Sequence, residues 1–412
     1  MAESESDDRL DVLVVDDSPT YRMILSRTLK GCPFARLAGS AVDGEAALLA
    51  IAEKRPDLVL LDVSMPVLDG IETLKRIRAK WHDVDVVMCS GVDQNQTGLT
   101  MQALSLGALD FVPKPQGDNP AESFAALGAA LHPLLELAMG RRNARRARSS
   151  PAKAIPRPPS PIGEAPPARA ARPESVHPVP TASAPAPTSA KPPVATRSST
   201  LPQAVPPTGG PGRRPPARVE LVVVGVSTGG PNALQAMVPR IPEGFPAPIV
   251  CVQHMPPLFT ASLAERLDRA SKIRVMEAAE GMVALPGHMY IAQGGRHLDV
   301  VRGADGRFRL KLHDAPPVNS CRPSVDVLFD SAAALGIPGI VSVVLTGMGS
   351  DGAAGARKLR EKGAWSIAQD EATSVVWGMP GAVASQGQAD ELLPLERVAS
   401  RLEELVRSGG AR

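Results

Sequence analysis

Twice along this chain, short apolar runs end in a polar or glycine-rich step and pass into an amphipathic stretch. In the N-terminal part the runs lie at residues 12–15, 58–61 and 84–88, with helical patterns at 21–29 and 44–54. In the C-terminal part they lie at 221–226, 248–252 and 340–345, with helical patterns at 258–270 and 352–362. A strand that is apolar on both faces must be covered on both faces, and strands joined through helices pair in parallel. The alternation therefore predicts two separate α/β domains, each a parallel or mostly parallel sheet between helices, the second doubly wound.

Between the two patterns the composition changes. Much of the chain's complement of 42 prolines falls between about residues 149 and 216, mixed with Ala, Ser, Thr and Arg and almost without large apolar side chains. Such a segment cannot bury enough apolar surface to form a core. It reads as a flexible linker over 141–218, between a domain at 9–138 and another at 219–407. As a random coil it would span about 50 Å. Its basic entrance, Arg141 to Arg148, reads as a solvated start to the linker. A net charge of +2 and 3% aromatic residues give neither the field nor the stacking platforms expected of a nucleic-acid binder. Four scattered cysteines without a Cys-x-x-Cys pair suit a reducing compartment. The acidic, polar start and the lack of a long apolar run give the expectation of a cytoplasmic chain without membrane insertion.

Asp16 and Asp17 follow the first predicted strand and Asp62 ends the third. The carboxyl ends of parallel strands share one crevice, so these three carboxylates are expected to face one another. A cluster of hard oxygens repels itself unless a cation joins it, and Mg²⁺ suits so small a set. Lys114 follows the last predicted strand of this domain and offers an ammonium for a phosphoryl oxygen. Ser90 ends another strand and adds a hydroxyl. Together they form a set for phosphoryl transfer to an aspartate. Singly, Asp17 could equally cap the helix starting near Ser18-Pro19, and Asp62 could simply close a strand.

The motifs Val-Val-Asp16-Asp17-Ser and Leu-Leu-Asp62-Val-Ser-Met65-Pro66 with Asp69-Gly70, Ser90 after a strand, and Phe111 with Lys114-Pro115, are similar to the receiver domain of two-component response regulators. That resemblance implies a (βα)5 fold and a histidine kinase as phosphoryl source. It also implies Asp62 as the phosphorylated residue, Mg²⁺ held by Asp16, Asp17 and Asp62, and a relay of the phosphorylated state through Ser90 and Phe111.

In the second domain, Gly225-Val226-Ser227-Thr228-Gly229-Gly230-Pro231 follows directly on an apolar run. It puts a serine where a strand must turn sharply into a helix, with glycines to let the backbone fold tightly and helix amides to receive an oxyanion. A strand followed by a Gly-rich loop can equally cradle a phosphate, although no Gly-x-Gly-x-x-Gly or Gly-Lys-Ser follows it. His254, at the end of residues 249–253, is the candidate base. Asp351, past the run at 340–345, is the candidate acid that orients it. The rivals are His288, in a turn-like site, and His297 and His313, in polar stretches that suggest the surface. The amide of Thr228 or Met348 is a plausible oxyanion donor. The order Ser227, His254, Asp351 differs from the Ser, acid, His order of α/β-hydrolases.

The segments around Ser227, Val-Gln-His254-Met-Pro-Pro, Pro-Pro-Val-Asn-Ser-Cys321-Arg-Pro-Ser324-Val-Asp326 and Leu-Thr-Gly-Met348-Gly-Ser-Asp351-Gly-Ala resemble the chemotaxis protein-glutamate methylesterase domain. With a receiver in front, the chain is similar to the CheB-type family. The resemblance implies hydrolysis of glutamate methyl esters, and deamidation of glutamines, on the cytoplasmic part of chemoreceptors. It also implies control by phosphorylation and no cofactor for the esterase reaction. Cys321 stands where a basic or polar side chain is expected, and the linker is longer than usual for the family. Other readings of the chain are a nucleotide-binding protein and a response regulator whose second domain only docks partners.

Overall fold

The computed structural model describes residues 8–115, 120–149 and 213–408. Most of the expected linker, residues 150–212, lies outside the described residues. The N-terminal domain runs β1 (Leu10–Val15), α1 (Pro19–Lys30), β2 (Ala35–Ala41), α2 (Gly44–Lys54), β3 (Leu58–Asp62), α3 (Gly70–Lys80), β4 (Asp85–Ser90), α4 (Gln94–Ser105), β5 (Asp110–Pro113) and α5 (Pro120–Ser149). Its sheet has the order β2-β1-β3-β4-β5, with every pairing parallel. β3 and β4 are buried along their whole length, as apolar runs covered by helices on both faces must be. Because all strands point one way, Asp16, Asp62, Ser90 and Lys114 gather at a single edge.

The basic run does not open a linker. α5 continues through it, and ion pairs explain why. Arg142, only 3% exposed, reaches Asp57 and the carbonyls of Arg9 and Asp8. Arg141 and Arg145 both pair with the buried Asp85. Carboxylates at the amino ends of the strands thus hold the last turns of α5 on the domain, where composition alone suggested solvent.

The C-terminal domain runs β6 (Leu221–Val226), α6 (Gly230–Met237), β7 (Ile249–Gln253), α7 (Phe259–Ala270), β8 (Arg274–Glu277), β9 (His288–Ile291), β10 (His297–Arg302), β11 (Phe308–His313), α8 (Val325–Ala334), β12 (Ile340–Val344), α9 (Ala353–Glu361), β13 (Trp365–Gln369), α10 (Met379–Ser385), β14 (Glu391–Leu393) and α11 (Leu395–Ser408). Seven parallel strands form one sheet in the order β14-β13-β12-β6-β7-β9-β8, and β10 and β11 make an antiparallel hairpin apart from it. From β6 the chain winds outward to β7 on one side and later returns to β12 on the other. The crevice beyond the carboxyl ends of β12, β6 and β7 is therefore the topological switch point, where open parallel sheets bind ligands. Ser227, His254 and Asp351 all follow these strands.

Candidate active site

Ser227 leaves β6 in a turn that enters α6 through Gly229, whose φ of 75° lies in the left-handed region that glycine tolerates. The turn is packed too closely for larger residues. A Cβ at Gly347 would come 2.8 Å from the Ser227 Cβ, and one at Gly230 would collide with the Gln253 side chain. Gln253, buried at the end of β7, donates its amide to the Ser227 carbonyl at 2.9 Å and fixes the turn from below. The amides of Thr228 and Met348 are not spent on hydrogen bonds among the described residues, and both residues line the cleft with Ser227 and His254.

His254 Nε2 meets Asp351 Oδ2 at 2.8 Å. Asp351 is itself gripped on every side. Oδ2 also accepts from the Val325 amide at 2.7 Å, and Oδ1 accepts from Asn319, from the Ser324 hydroxyl and from the Asp326 amide. Val325 and Asp326 open α8, so the carboxylate sits at a helix N-terminus, where amides and macrodipole favour a negative charge. Burial pushes Asp351 up, but the bond to His254, its charge, Asn319 and the Val325 amide outweigh burial and hold it down at about 2. Burial lowers His254, yet the Asp351 bond and the Cys321 contact outweigh it and raise the ring to about 9. With Nε2 committed to Asp351, the nitrogen left to face the cleft is Nδ1. It lies 3.6 Å from Cys321 Sγ. No Ser227–His254 hydrogen bond forms among the described residues, although both side chains line one cavity of about 460 Å³.

That cavity is roofed by the other domain. Asp110, Phe111 and Pro113 of β5 and Ala129, Ala130, Pro133 and Leu134 of α5 complete its wall. Phe111 stacks on Phe259 of α7, with ring centroids 4.4 Å apart and planes at 21°. Ser105 meets Gln235 at 2.7 Å across the same seam, and Ser262 meets Thr97 at 3.3 Å. The Asp110 carboxyl abuts Thr228 and the Gly229 amide. Burial pushes it up to about 7, against the opposing pull of the Phe111 and Gly229 amides and Thr228.

At the receiver edge, Asp16, Asp17 and Asp62 each offer a carboxylate oxygen within 4.8 Å of the others. Lys114 Nζ lies 2.7 Å from Asp16 Oδ2 and 2.9 Å from Asp62 Oδ1, and 4.6 Å from the Tyr21 ring centroid. Burial raises Asp62, Lys114 opposes it, and the Asp16 charge adds to the rise. Ser18, not Asp17, caps α1, which leaves Asp17 for the cluster. Ser90 is fully buried, with its Oγ 2.7 Å from Thr100 Oγ1.

His297, read from its polar neighbours as a surface residue, is instead buried. Its ring lies between the Pro316 carbonyl and the Ser324 amide and helps fix the loop before α8. Several residues that no sequence pattern marks support the site. Asn319, Ser324 and the start of α8 cradle Asp351, Gln253 braces the Ser227 turn, and Asp110 meets that turn from the other domain. Ser324 and Asp326 stand in a quoted motif, but neither spacing nor periodicity gives them a role.

A family model described as CheB methylesterase matches residues 222–402, and one described as response regulator receiver domain matches residues 12–123. A protein-glutamate methylesterase/protein-glutamine glutaminase of Nocardioides sp. is 41% identical over 97% of this chain and 98% of its own length. One of the same description from Desulfotalea psychrophila is 38% identical over 97% of this chain and 99% of its own. The crystal structure of the Thermotoga maritima CheB methylesterase catalytic domain is 45% identical, covers 46% of this chain and 99% of that one, and has a TM-score of 0.45. The chain belongs to the family of receiver-linked protein-glutamate methylesterase/protein-glutamine glutaminases.

Proposed function

We propose that this chain hydrolyses methyl esters of glutamate side chains on chemoreceptors, releasing methanol, and deamidates receptor glutamines by the same route. The observation that carries the reading is the Asp351–His254 pair at 2.8 Å in the cleft that Ser227 lines. His254 Nδ1 takes the proton of Ser227 as Oγ attacks the ester carbonyl. The amides of Thr228 and Met348 receive the oxyanion, and methanol leaves with the proton that His254 returns. Water then attacks the acyl carbonyl as His254 takes its proton; the Ser227 Oγ–C bond breaks as His254 returns that proton to Oγ, and the glutamate leaves, losing its carboxyl proton to solvent. For a glutamine the leaving group is ammonia. Asp351, held well below the usual carboxylate range, stays ionised and balances the imidazolium. The esterase steps call on no cofactor.

In the receiver, we assign Asp62 as the residue that accepts a phosphoryl group from a histidine kinase. The three clustered carboxylates suit Mg²⁺, being hard oxygen donors with a single ammonium among them. When bound, Mg²⁺ neutralises phosphoryl oxygens. Lys114 is within reach of the same oxygens, and a phosphoryl group on Asp62 competes for it and for the Ser90 hydroxyl. Phe111 and Lys114 share the β5 edge, so that competition strains the stack on Phe259 and favours an uncovered cleft. The domains proposed are a receiver, a connecting segment and a catalytic domain. The place of action is the cytoplasm, where the receptor's methylated helices and the kinase lie. No helix among the described residues is long and apolar enough to cross a membrane.

Labelling with an organophosphate tests the assignment. The label is expected on Ser227, faster with acetyl phosphate and Mg²⁺ present. A label on another serine, or none, contradicts it.

A further inference from the structure

Cys321 enters the catalytic cleft by way of two successive non-glycine residues in the left-handed region, Asn319 at φ 52° and Ser320 at φ 62°. Such backbone is unfavourable for a residue with a side chain and persists only where the surroundings enforce it. Asn319 is held by its bonds to Asp351 and Asp326, and the Val318 and Cys321 backbones pair with each other. The outcome of this constrained turn is a half-buried thiol 3.6 Å from His254 Nδ1.

We propose that His254 Nδ1 and Cys321 Sγ form a binding site for a thiophilic divalent cation of the zinc class, and that the cation switches the esterase off. The spacing fits. With Zn–N of about 2.0–2.1 Å and Zn–S of about 2.3 Å at a tetrahedral angle, the two donors stand about 3.6 Å apart, which is the separation found. Metal-bound imidazoles almost always give their other N–H to a carboxylate, a backbone carbonyl or water, which fixes the ring and makes it more basic. Asp351 occupies that place at Nε2.

Asp351 has an oxygen within 4.8 Å of both donors, but its two oxygens already accept from His254, Val325, Asn319, Ser324 and Asp326. It therefore orients the ring and does not ligate. The two remaining coordination positions open into the cavity and fall to water, one more than in a three-ligand catalytic zinc site, which suits a cation that binds reversibly. A thiolate and an imidazole select zinc, cobalt or copper over magnesium, whereas the receiver carboxylates select magnesium. The chain would then carry two cation sites of opposite softness and opposite effect.

Occupation of Nδ1 removes the lone pair that must take the Ser227 proton. The inhibition rests on the proposed esterase mechanism, whereas binding of the cation does not. The experiment therefore reads the two separately, on the full-length chain with saturating Mg²⁺. Titration with Co²⁺ is expected to give a thiolate-to-cobalt charge-transfer band that Zn²⁺ abolishes. The band should be missing from Cys321→Ser and Cys321→Ala, with cobalt binding elsewhere unchanged. In wild type, Zn²⁺ at about ten times its dissociation constant should cut methanol release about tenfold, reversibly with EDTA. The same addition should leave each Cys321 variant close to its own metal-free rate. No band in wild type, or a band of equal strength in the variants, overturns the site. A band with unchanged turnover overturns the inhibition and leaves the site standing, and a protein without methanol release still answers the cobalt titration.

Discussion

His254 is the residue on which two demands meet. As a base it must be neutral, yet Asp351 and Cys321 hold its charged form, raising it to about 9. A base is active when deprotonated, so the hydrolytic rate is expected to climb with pH from neutrality through about 9, without the plateau near 7 that an ordinary imidazole gives. A pH profile of kcat/KM on receptor fragments checks this. Replacing Cys321 by Ala removes one of the interactions that raise the ring, and the alkaline limb should move to lower pH. Asp351→Asn should cost on the order of 10³–10⁴ in kcat, since the ring loses both its fixed tautomer and its counter-charge. Ser227, His254 and Asp351 could be placed near one cleft from the sequence because each follows an apolar run and precedes a helical pattern, the address of a strand-end site. Asn319, Ser324 and Cys321 lie in an irregular loop with no period, and their roles follow from where the loop folds back. Asp110 begins a strand, and nothing in its local sequence shows what lies opposite.

At the scale of elements, β6 and α8 depend on one another. Gly225 of β6 faces Val325, and a Cβ there would collide with the Val325 side chain. Gly225→Ala is therefore expected to push away the helix whose first amides grip Asp351. The overpacking should lower stability by about 1–3 kcal/mol. Because the cradle loosens with it, kcat should fall more than KM rises; denaturant melts beside steady-state kinetics separate the two effects. The central strands were legible because β6, β7 and β12 are almost wholly apolar and buried throughout, with Gln253 and Ser342 as their only polar members. β8 and the β10–β11 hairpin mix charged and apolar residues, so no uniform apolar run marks them, although each pairs with a strand close in sequence. The last turns of α5 are hidden from a sequence reading for a related reason. Arginines look like solvent-facing residues until the strand-end carboxylates that receive them are in place.

In the whole molecule the two domains share an apolar seam, and the cleft is roofed by the domain that senses phosphorylation. Phe111 anchors that seam on Phe259. Aromatic pairs contribute about 0.5–1.5 kcal/mol beyond the area they bury, so Phe111→Ala should shift the chain toward the uncovered state. The expected result is several-fold higher methanol release without a phosphoryl donor and a smaller further gain with one. The two α/β units and their parallel sheets could be read from apolar periodicity. That the domains close on each other could not, because the seam is made of residues that look like ordinary members of β5 and of helices α4, α5, α6 and α7.

The direct test of the whole account is methanol release from methyl-labelled receptor cytoplasmic fragments by the full-length chain, with acetyl phosphate and Mg²⁺, beside its Ser227→Ala variant. Release should be fast in the wild type, slower without the phosphoryl donor, and reduced by several orders of magnitude in the variant. Equal release from both proteins would contradict the account.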